Sequence, residues 1–163
     1  MKNPGARPAT LSEHLKLRHS AFSGPQEEAC LALVRTGESL GKRADRLLAP
    51  HGLTAPQFNV LMVLRYEGKK GLSQVALGQR LLLSRPNVSL HVKRLEGRGL
   101  VHKADAPGSA REHRITLTAA ARRLLAAAVP AYNAEVVKAM VGLSARDCRA
   151  LNILLARLWS SWG

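Results

Sequence analysis

The sequence predicts a mainly α-helical fold with one small β-hairpin. Three observations lead there. Apolar residues recur at steps of three and four through most of the chain, as in amphipathic helices. Strand-like runs occur only at 100–103 and 114–117, on either side of a polar stretch holding Pro107 and Gly108. Thr54, Ser84, Thr118 and Ser144 each stand directly before a run with helical period, where a helix start needs a side-chain oxygen.

The elements follow in order. Residues 1–25 form a basic arm containing Pro and Gly, and Gly24-Pro25 ends any short helix built on Leu11, Leu15 and Leu17. A long helix is expected over 26–49. Its stripe of Cys30, Leu33, Val34, Gly37, Leu40, Gly41, Ala44, Leu47 and Leu48 is continuous, and Pro50 and Gly52 stop it. Thr54, Pro56 and Gln57 supply a cap, a first-turn proline and the far side of a capping box for a helix that buries Phe58, Leu61, Met62 and Leu64. A short helix over 74–81 and another opening at Ser84-Arg85-Pro86-Asn87 are joined tightly through Leu82 and Leu83. Val88, Val92 and Leu95 form the inner face of the second of these, and Gly97 and Gly99 end it. Strands 100–103 and 114–117 flank a polar loop, 104–113. Thr118 opens an Ala-rich helix that Pro130 is expected to kink or interrupt. Ser144 caps a last helix whose apolar face is Cys148, Leu151, Leu154, Leu155, Leu158, Trp159 and Trp162.

Composition narrows the function classes. The 163 residues include 25 Lys and Arg against 11 Asp and Glu, a formal charge of +14. A field of that sign draws polyanions or anionic membrane surfaces. Its placement favours the former: the stretch 54–118 holds 11 basic and 4 acidic residues, half of the excess in 40% of the chain. The charges gather there rather than on one amphipathic helix, which disfavours a membrane-surface protein. There is no ~20-residue apolar run for a membrane span. The stretch 1–20 has no apolar core of a secretory signal, so a cytoplasmic location is expected. Two cysteines build no disulfide scaffold. Six scattered histidines lack metal-ligand spacing, and no phosphate loop or nucleophile elbow occurs, so neither a metal, another cofactor nor an enzyme is expected.

The order helix–helix–helix–strand–loop–strand over 54–118 is that of a winged helix-turn-helix. A helix fills the major groove of DNA, and the early residues of the second helix of the pair meet base edges. A basic hairpin beside it reaches a minor groove. The segment LSQVALGQRLLLSRPNVSLHVKRLEGRGLVHK (72–103), followed by SAREHRITLT (109–118) and preceded by LTAPQFNVLMVL (53–64), resembles the MarR family of bacterial transcriptional regulators. The resemblance covers roughly 26–163 and is sharpest over 53–118.

The resemblance implies a winged helix-turn-helix with flanking dimerisation helices. Its parts are an arm (1–25), an N-terminal dimerisation helix (26–52), a DNA-binding domain (53–118) and C-terminal dimerisation helices (119–163). It implies a homodimer on a pseudo-palindromic operator in double-stranded DNA, most simply a repressor, released by a small ligand or an oxidant. The alternative is a basic architectural protein binding DNA without sequence preference. The apolar faces at 30–48 and 144–162 support the dimer independently, being wide for helices with a small domain to lean on.

Candidate DNA contacts follow residue by residue. Arg85 suits a phosphate or a guanine edge, Asn87 an adenine edge, Ser89 either, and Leu90 a thymine methyl. Lys93 and Arg94 suit backbone contacts, with Ser84 at the helix start. Ser73 and Gln74 either bond phosphate or simply cap their helix. Arg111 is the wing residue, inserted in a minor groove or solvated. Lys2, Arg7, Lys16 and Arg18 are further cations for phosphate. His91 is expected to pack partly inward.

Three departures from the family pattern stand out. Its wing usually carries Asp-x-Arg, where this chain has Ser109 and Arg111, with Glu112 or Asp105 as replacements for the missing charge. Leu82 occupies a turn position where a small residue is common, and Leu90 one where Arg is common. The family's effector site implies a candidate pocket of Leu40, Leu47, Phe58, Met62 and Tyr66, with Arg43 or His51 as polar handle; hinge packing explains the same residues. Cys30 stands where the hydroperoxide sensors of the family carry a reactive Cys, yet the tyrosines that hold it there are Val34 and Ala44 here. It is therefore either a redox site or packing in the dimer core, and Cys148, also on an apolar face, is read as core.

Overall fold

A computed structural model describes residues 24–106 and 109–162, and for residues 106 and 109–112 the backbone only. The basic arm with Lys2, Arg7, Lys16 and Arg18, and the Arg111 side chain, lie outside the described residues. The chain divides into two compact units, one up to Arg43 and one from Ala44.

The first unit is helix α1 (Pro25–Leu48) as far as Arg43, with Glu27 and Glu28 in its first turn where the helix dipole favours them. Along its apolar stripe Cys30, Leu33, Val34 and Leu40 are exposed.

The second unit holds the core. Leu48, at the end of α1, is fully buried. A 3-10 turn (Ala49–His51) follows, closed by Gly52 at φ 66, whose N–H donates to the Ala49 carbonyl. Helix α2 (Ala55–Glu67) opens with the expected capping box. Thr54 N–H donates to Gln57 Oε1 at 3.0 Å, and Gln57 N–H to Thr54 Oγ1 at 3.5 Å. The Asp45 carboxylate takes the Ala55 N–H at 2.7 Å. Helix α2 buries Gln57, Phe58, Val60, Leu61 and Leu64.

Gly71 then holds φ 61, and Leu72 exchanges both backbone hydrogen bonds with Ile115. A Cβ at Gly71 would lie 2.5 Å from the Ile115 carbonyl oxygen, so only Gly lets the two backbones meet. This bridge adds a short third edge to the hairpin, which the sequence reading did not anticipate. Helix α3 (Gln74–Leu81) and helix α4 (Arg85–Gly97) meet through a turn in which Leu82 adopts φ 54, ψ 37. Leu82 is the sole left-handed non-glycine among the described residues. Strands β1 (Val101–Ala106) and β2 (Ser109–Leu117) pair antiparallel, with Val101 opposite Leu117 and Asp105 opposite His113, and the register slips between Asp105 and Ala106. Val101, Ile115 and Leu117 join Leu77, Val88, Val92 and Leu95 in one core.

Helix α5 (Ala119–Ala139) starts on Thr118, whose Oγ1 accepts from Ala121 N–H at 3.2 Å and donates to the Gly99 carbonyl. It buries Ala121, Leu125 and Ala128. Helix α6 (Ala145–Ser160) carries a Ser144–Asp147 capping box and buries no residue. Val136, Val137, Val141, Leu143, Ile153, Leu154, Leu158, Trp159 and Trp162 are all exposed on the single chain.

The structure departs from the sequence reading at four places. Of the two outcomes expected at Pro130, interruption does not occur, since helix α5 runs on through it. Pro130 and Ala126 both face solvent, so the carbonyl that loses its donor is open to water, and small Ala neighbours leave room for the ring. The expected polar loop 104–113 is mostly strand, because backbone pairing in an exposed ribbon does not require apolar side chains. Ser84 sits at the N-cap position of α4 with extended backbone, but its side chain makes no cap hydrogen bond. Cys148, read as core, is only half-buried in the single chain, while Cys30, read for the dimer core, is exposed on it.

Candidate nucleic-acid interface

Helix α4 has two faces of different chemistry. Val88, Val92 and Leu95 point into the core with almost no exposure. Arg85, Asn87, Ser89, Leu90, Lys93 and Arg94 are all exposed. The i, i+4, i+7 spacing of the inner residues fixes this division, since burying them rotates the cationic and amide side chains outward. The helix N-terminus also presents the positive end of its dipole, and with Ser84 not capping, the Ser84 hydroxyl is available there. The start of the helix thus combines a guanidinium, a carboxamide and two hydroxyls, all on exposed residues.

Helix α3 braces this arrangement. Leu77 is buried beneath α4, and Ser73 Oγ accepts from Ala76 N–H at 3.2 Å, so Ser73 caps. Gln74 is half-buried in the first turn. An exposed ion pair between Arg80 and Glu67 ties α3 to α2, a contact worth under ~1 kcal/mol at a solvated surface.

His91 is only partly covered as a ring, but its Nδ1 is sealed and has no hydrogen-bond partner among the described residues. Burial, and then the neighbouring Arg94 charge, hold its pKa below the usual imidazole value. His91 is therefore a neutral packing residue at pH 7 and not one of the cations of the surface.

The wing is braced across its two strands. His113 Nδ1 lies 2.8 Å from Asp105 Oδ1, across the last regular rung before the register slip. Asp105 thus pairs within the hairpin, and Arg111 stands two residues before His113 on β2. Arg114 reaches the Gly71 carbonyl at 3.5 Å. Sequence reasoning missed His113, because a pair formed across a hairpin has no local spacing signal.

The candidate pocket residues divide by unit. Leu40 and Arg43 are exposed on the first. On the second, Phe58 is 3% exposed and its ring lies 4.7 Å from that of Tyr132, centroid to centroid. Met62 and Leu47 are half-buried, and Tyr66 is 81% exposed. Phe58, Met62 and Tyr66 thus follow one stripe of α2 from core to solvent. Tyr132 was not singled out by the sequence, since its partner lies 74 residues earlier. His51 is half-buried, and its carbonyl accepts from Arg98.

Among the described residues no cluster of His, Cys, Asp and Glu is placed to hold a metal ion, and no helix is long and apolar enough to cross a membrane. The arrangement is that of a cationic surface built on a buried apolar frame.

Comparison with known proteins accords with that geometry. The model of the MarR family matches residues 51–112, the stretch from the 3-10 turn to the wing. The chain is 37% identical over 97 residues to the HTH-type transcriptional regulator TtmR of Methylorubrum extorquens, a match covering 60% of this chain and 49% of TtmR. It thus spans about half the length of that relative. Among solved structures, MosR of Mycobacterium tuberculosis in complex with DNA superposes with a TM-score of 0.69 at 28% identity, covering 82% of this chain and 94% of that one. The M. tuberculosis MarR family protein Rv2887 in complex with salicylic acid superposes with a TM-score of 0.63 at 28% identity, covering 85% and 98%. A capped α2, the α3–turn–α4 pair, the hairpin wing and the family match over the same residues agree with one another: the chain has a winged helix-turn-helix fold, and its residues 51–112 are those of the MarR family.

Proposed function

We propose that this chain is a sequence-specific transcriptional regulator that binds double-stranded DNA as a homodimer, most simply as a repressor. The observation that carries the reading is the outward face of α4, where Arg85, Asn87, Ser89, Leu90, Lys93 and Arg94 are exposed over a buried frame of Val88, Val92 and Leu95. Such a face fits the major groove. Arg85 offers a pair of donors to a guanine edge, Asn87 a donor and an acceptor to an adenine edge, and Lys93 and Arg94 offer charge to the backbone. Ser73, Gln74 and Ser84 add hydroxyl and amide groups at two helix starts, and Arg111 extends from the wing toward an adjacent minor groove. The DNA complex of MosR supports this use of the fold.

The homodimer reading rests on surface chemistry. Helix α6 buries nothing, yet presents Ile153, Leu154, Leu158, Trp159 and Trp162 to solvent, while α1 exposes Leu33, Val34 and Leu40. Faces of that size on a soluble chain want a cover, and a second copy supplies it symmetrically. We place dimerisation in 26–52 and 119–163, DNA reading in 53–118 and auxiliary cations in 1–25. Two α4 helices then address half-sites ~34–36 Å apart. Release by a small anionic or phenolic ligand near Leu47, His51, Met62 and Tyr66 is supported by the salicylic acid complex of Rv2887. For Cys30, its exposure on the single chain keeps oxidation by peroxide open as a second signal.

A competition titration tests the reading. A labelled duplex, selected from a random-sequence pool by the protein, is challenged with unselected duplex at physiological salt. Specific recognition requires the selected duplex to bind at least ~10³-fold more tightly. Equal competition by both duplexes identifies an architectural protein that binds by charge alone.

A further inference from the structure

We propose that Arg98 is a positioning residue that fixes the far end of the DNA-reading helix to the segment following α1, and so sets the separation of the two reading helices. The inference rests on the DNA-binding dimer proposed above. Arg98 is the C-cap residue of α4. Its guanidinium crosses 46 residues of sequence: Nη1 donates to the Gly52 carbonyl, and Nη2 donates to the His51 carbonyl at 3.2 Å. Those carbonyls end the 3-10 turn that continues α1, where backbone oxygens carry the negative end of the helix dipole. A planar fork that makes two charge-assisted bonds suits that end better than a point charge does.

The acceptor side is shaped for it. Gly52 holds φ 66, and a Cβ there would stand 3.0 Å from Arg98 Nη2. The absence of a side chain is what lets the guanidinium reach both carbonyls. Arg98 therefore differs in role from Arg85, Lys93 and Arg94 on the same helix. Its charge is spent on the protein's own backbone, not on phosphate. Helix α4 is held by buried side chains along its length, and Arg98 adds a directional tie at the end opposite the base-reading turn. Because the tied segment follows directly on the last turn of α1, which lies in the same compact unit, a shift of the turn at 49–52 is passed to the pitch of α4.

The test uses the full chain, a selected duplex, and duplexes with one base pair inserted or removed between the half-sites. Salt dependence and spacing preference are measured for wild type, Arg98→Gln and Arg98→Lys, with thermal melting to establish that each variant is folded. Arg98→Gln should bind the selected duplex fivefold or more weakly, about the low end of coupling between sites. It should lose most of the wild-type discrimination against altered spacing, and Arg98→Lys should lie between. The slope of log affinity against log salt should stay at the wild-type value. A slope reduced by about 0.9 makes Arg98 a phosphate contact and overturns the proposal. An unchanged affinity and spacing profile overturns it too. If wild type binds no duplex, the parent reading fails first, and that outcome is seen before any variant is compared.

Discussion

Leu82 shows how much one residue can carry. It occupies the left-handed region at φ 54 and is 66% exposed, so it has backbone strain without burial to offset it. A left-handed residue with a Cβ costs ~1–2 kcal/mol, and glycine returns part of that gain through a freer unfolded chain. Leu82→Gly should therefore stabilise the fold by about 0.5–1 kcal/mol, read as a higher midpoint in urea with unchanged slope. A lower midpoint would mean that the Leu82 side chain packs in solution. Arg85→Ala should cost ~1–3 kcal/mol of specific affinity and relax one base position, whereas Lys93→Ala should weaken all duplexes alike. A uniform loss for Arg85→Ala would demote it to a phosphate contact. Single residues were legible where local chemistry decides them. The Thr54, Thr118 and Ser144 caps and the outward set on α4 follow from spacing alone. Arg98, His113 and Tyr132 were not legible, because each acts through a partner brought near only by the fold.

Helices were read well because their signals are local. The capping residue, the period of the apolar face and the terminating Gly all lie within one element, and α2, α3 and α4 match their expected spans to within about a residue. The wing was read short because its outer rungs are polar, and the Leu72–Ile115 bridge was unseen because it joins residues 43 apart. That bridge can be broken from one side: Gly71→Ala should destabilise the unit by a few kcal/mol, since both φ and the Ile115 carbonyl exclude a Cβ. A wild-type urea midpoint for that variant would refute the bridge. The start of α6 has a pH signature. The Ser144 hydroxyl and backbone N–H hold Asp147 below its ordinary value near 3.8. A carboxylate depressed on folding contributes stability above the unfolded value and loses it as pH falls through the folded one. Wild type should therefore lose helix stability below about pH 4, and Asp147→Asn should lose less over that window. Parallel melting curves for the two proteins would contradict the capping box.

Assembly is decided by the apolar faces exposed on the single chain. Leu154 is 59% exposed and Trp159 54% exposed on a helix that buries nothing, so a charge at position 154 should be harmless to a monomer. Leu154→Glu should instead halve the sedimenting mass and abolish specific DNA binding while the winged segment stays folded. Unchanged mass would move the interface elsewhere. The sequence foretold these faces as stripes, but a stripe alone does not say whether its cover comes from the same chain or another. The measurement that bears most directly on the central claim is the sequence recovered when the purified chain selects duplexes from a random pool at physiological salt. A symmetric dimer reading the major groove with α4 predicts an inverted repeat whose half-site centres lie about one helical turn, ~10–10.5 base pairs, apart. Retained duplexes that stay random in sequence, or that share only a single unrepeated half-site, would contradict it.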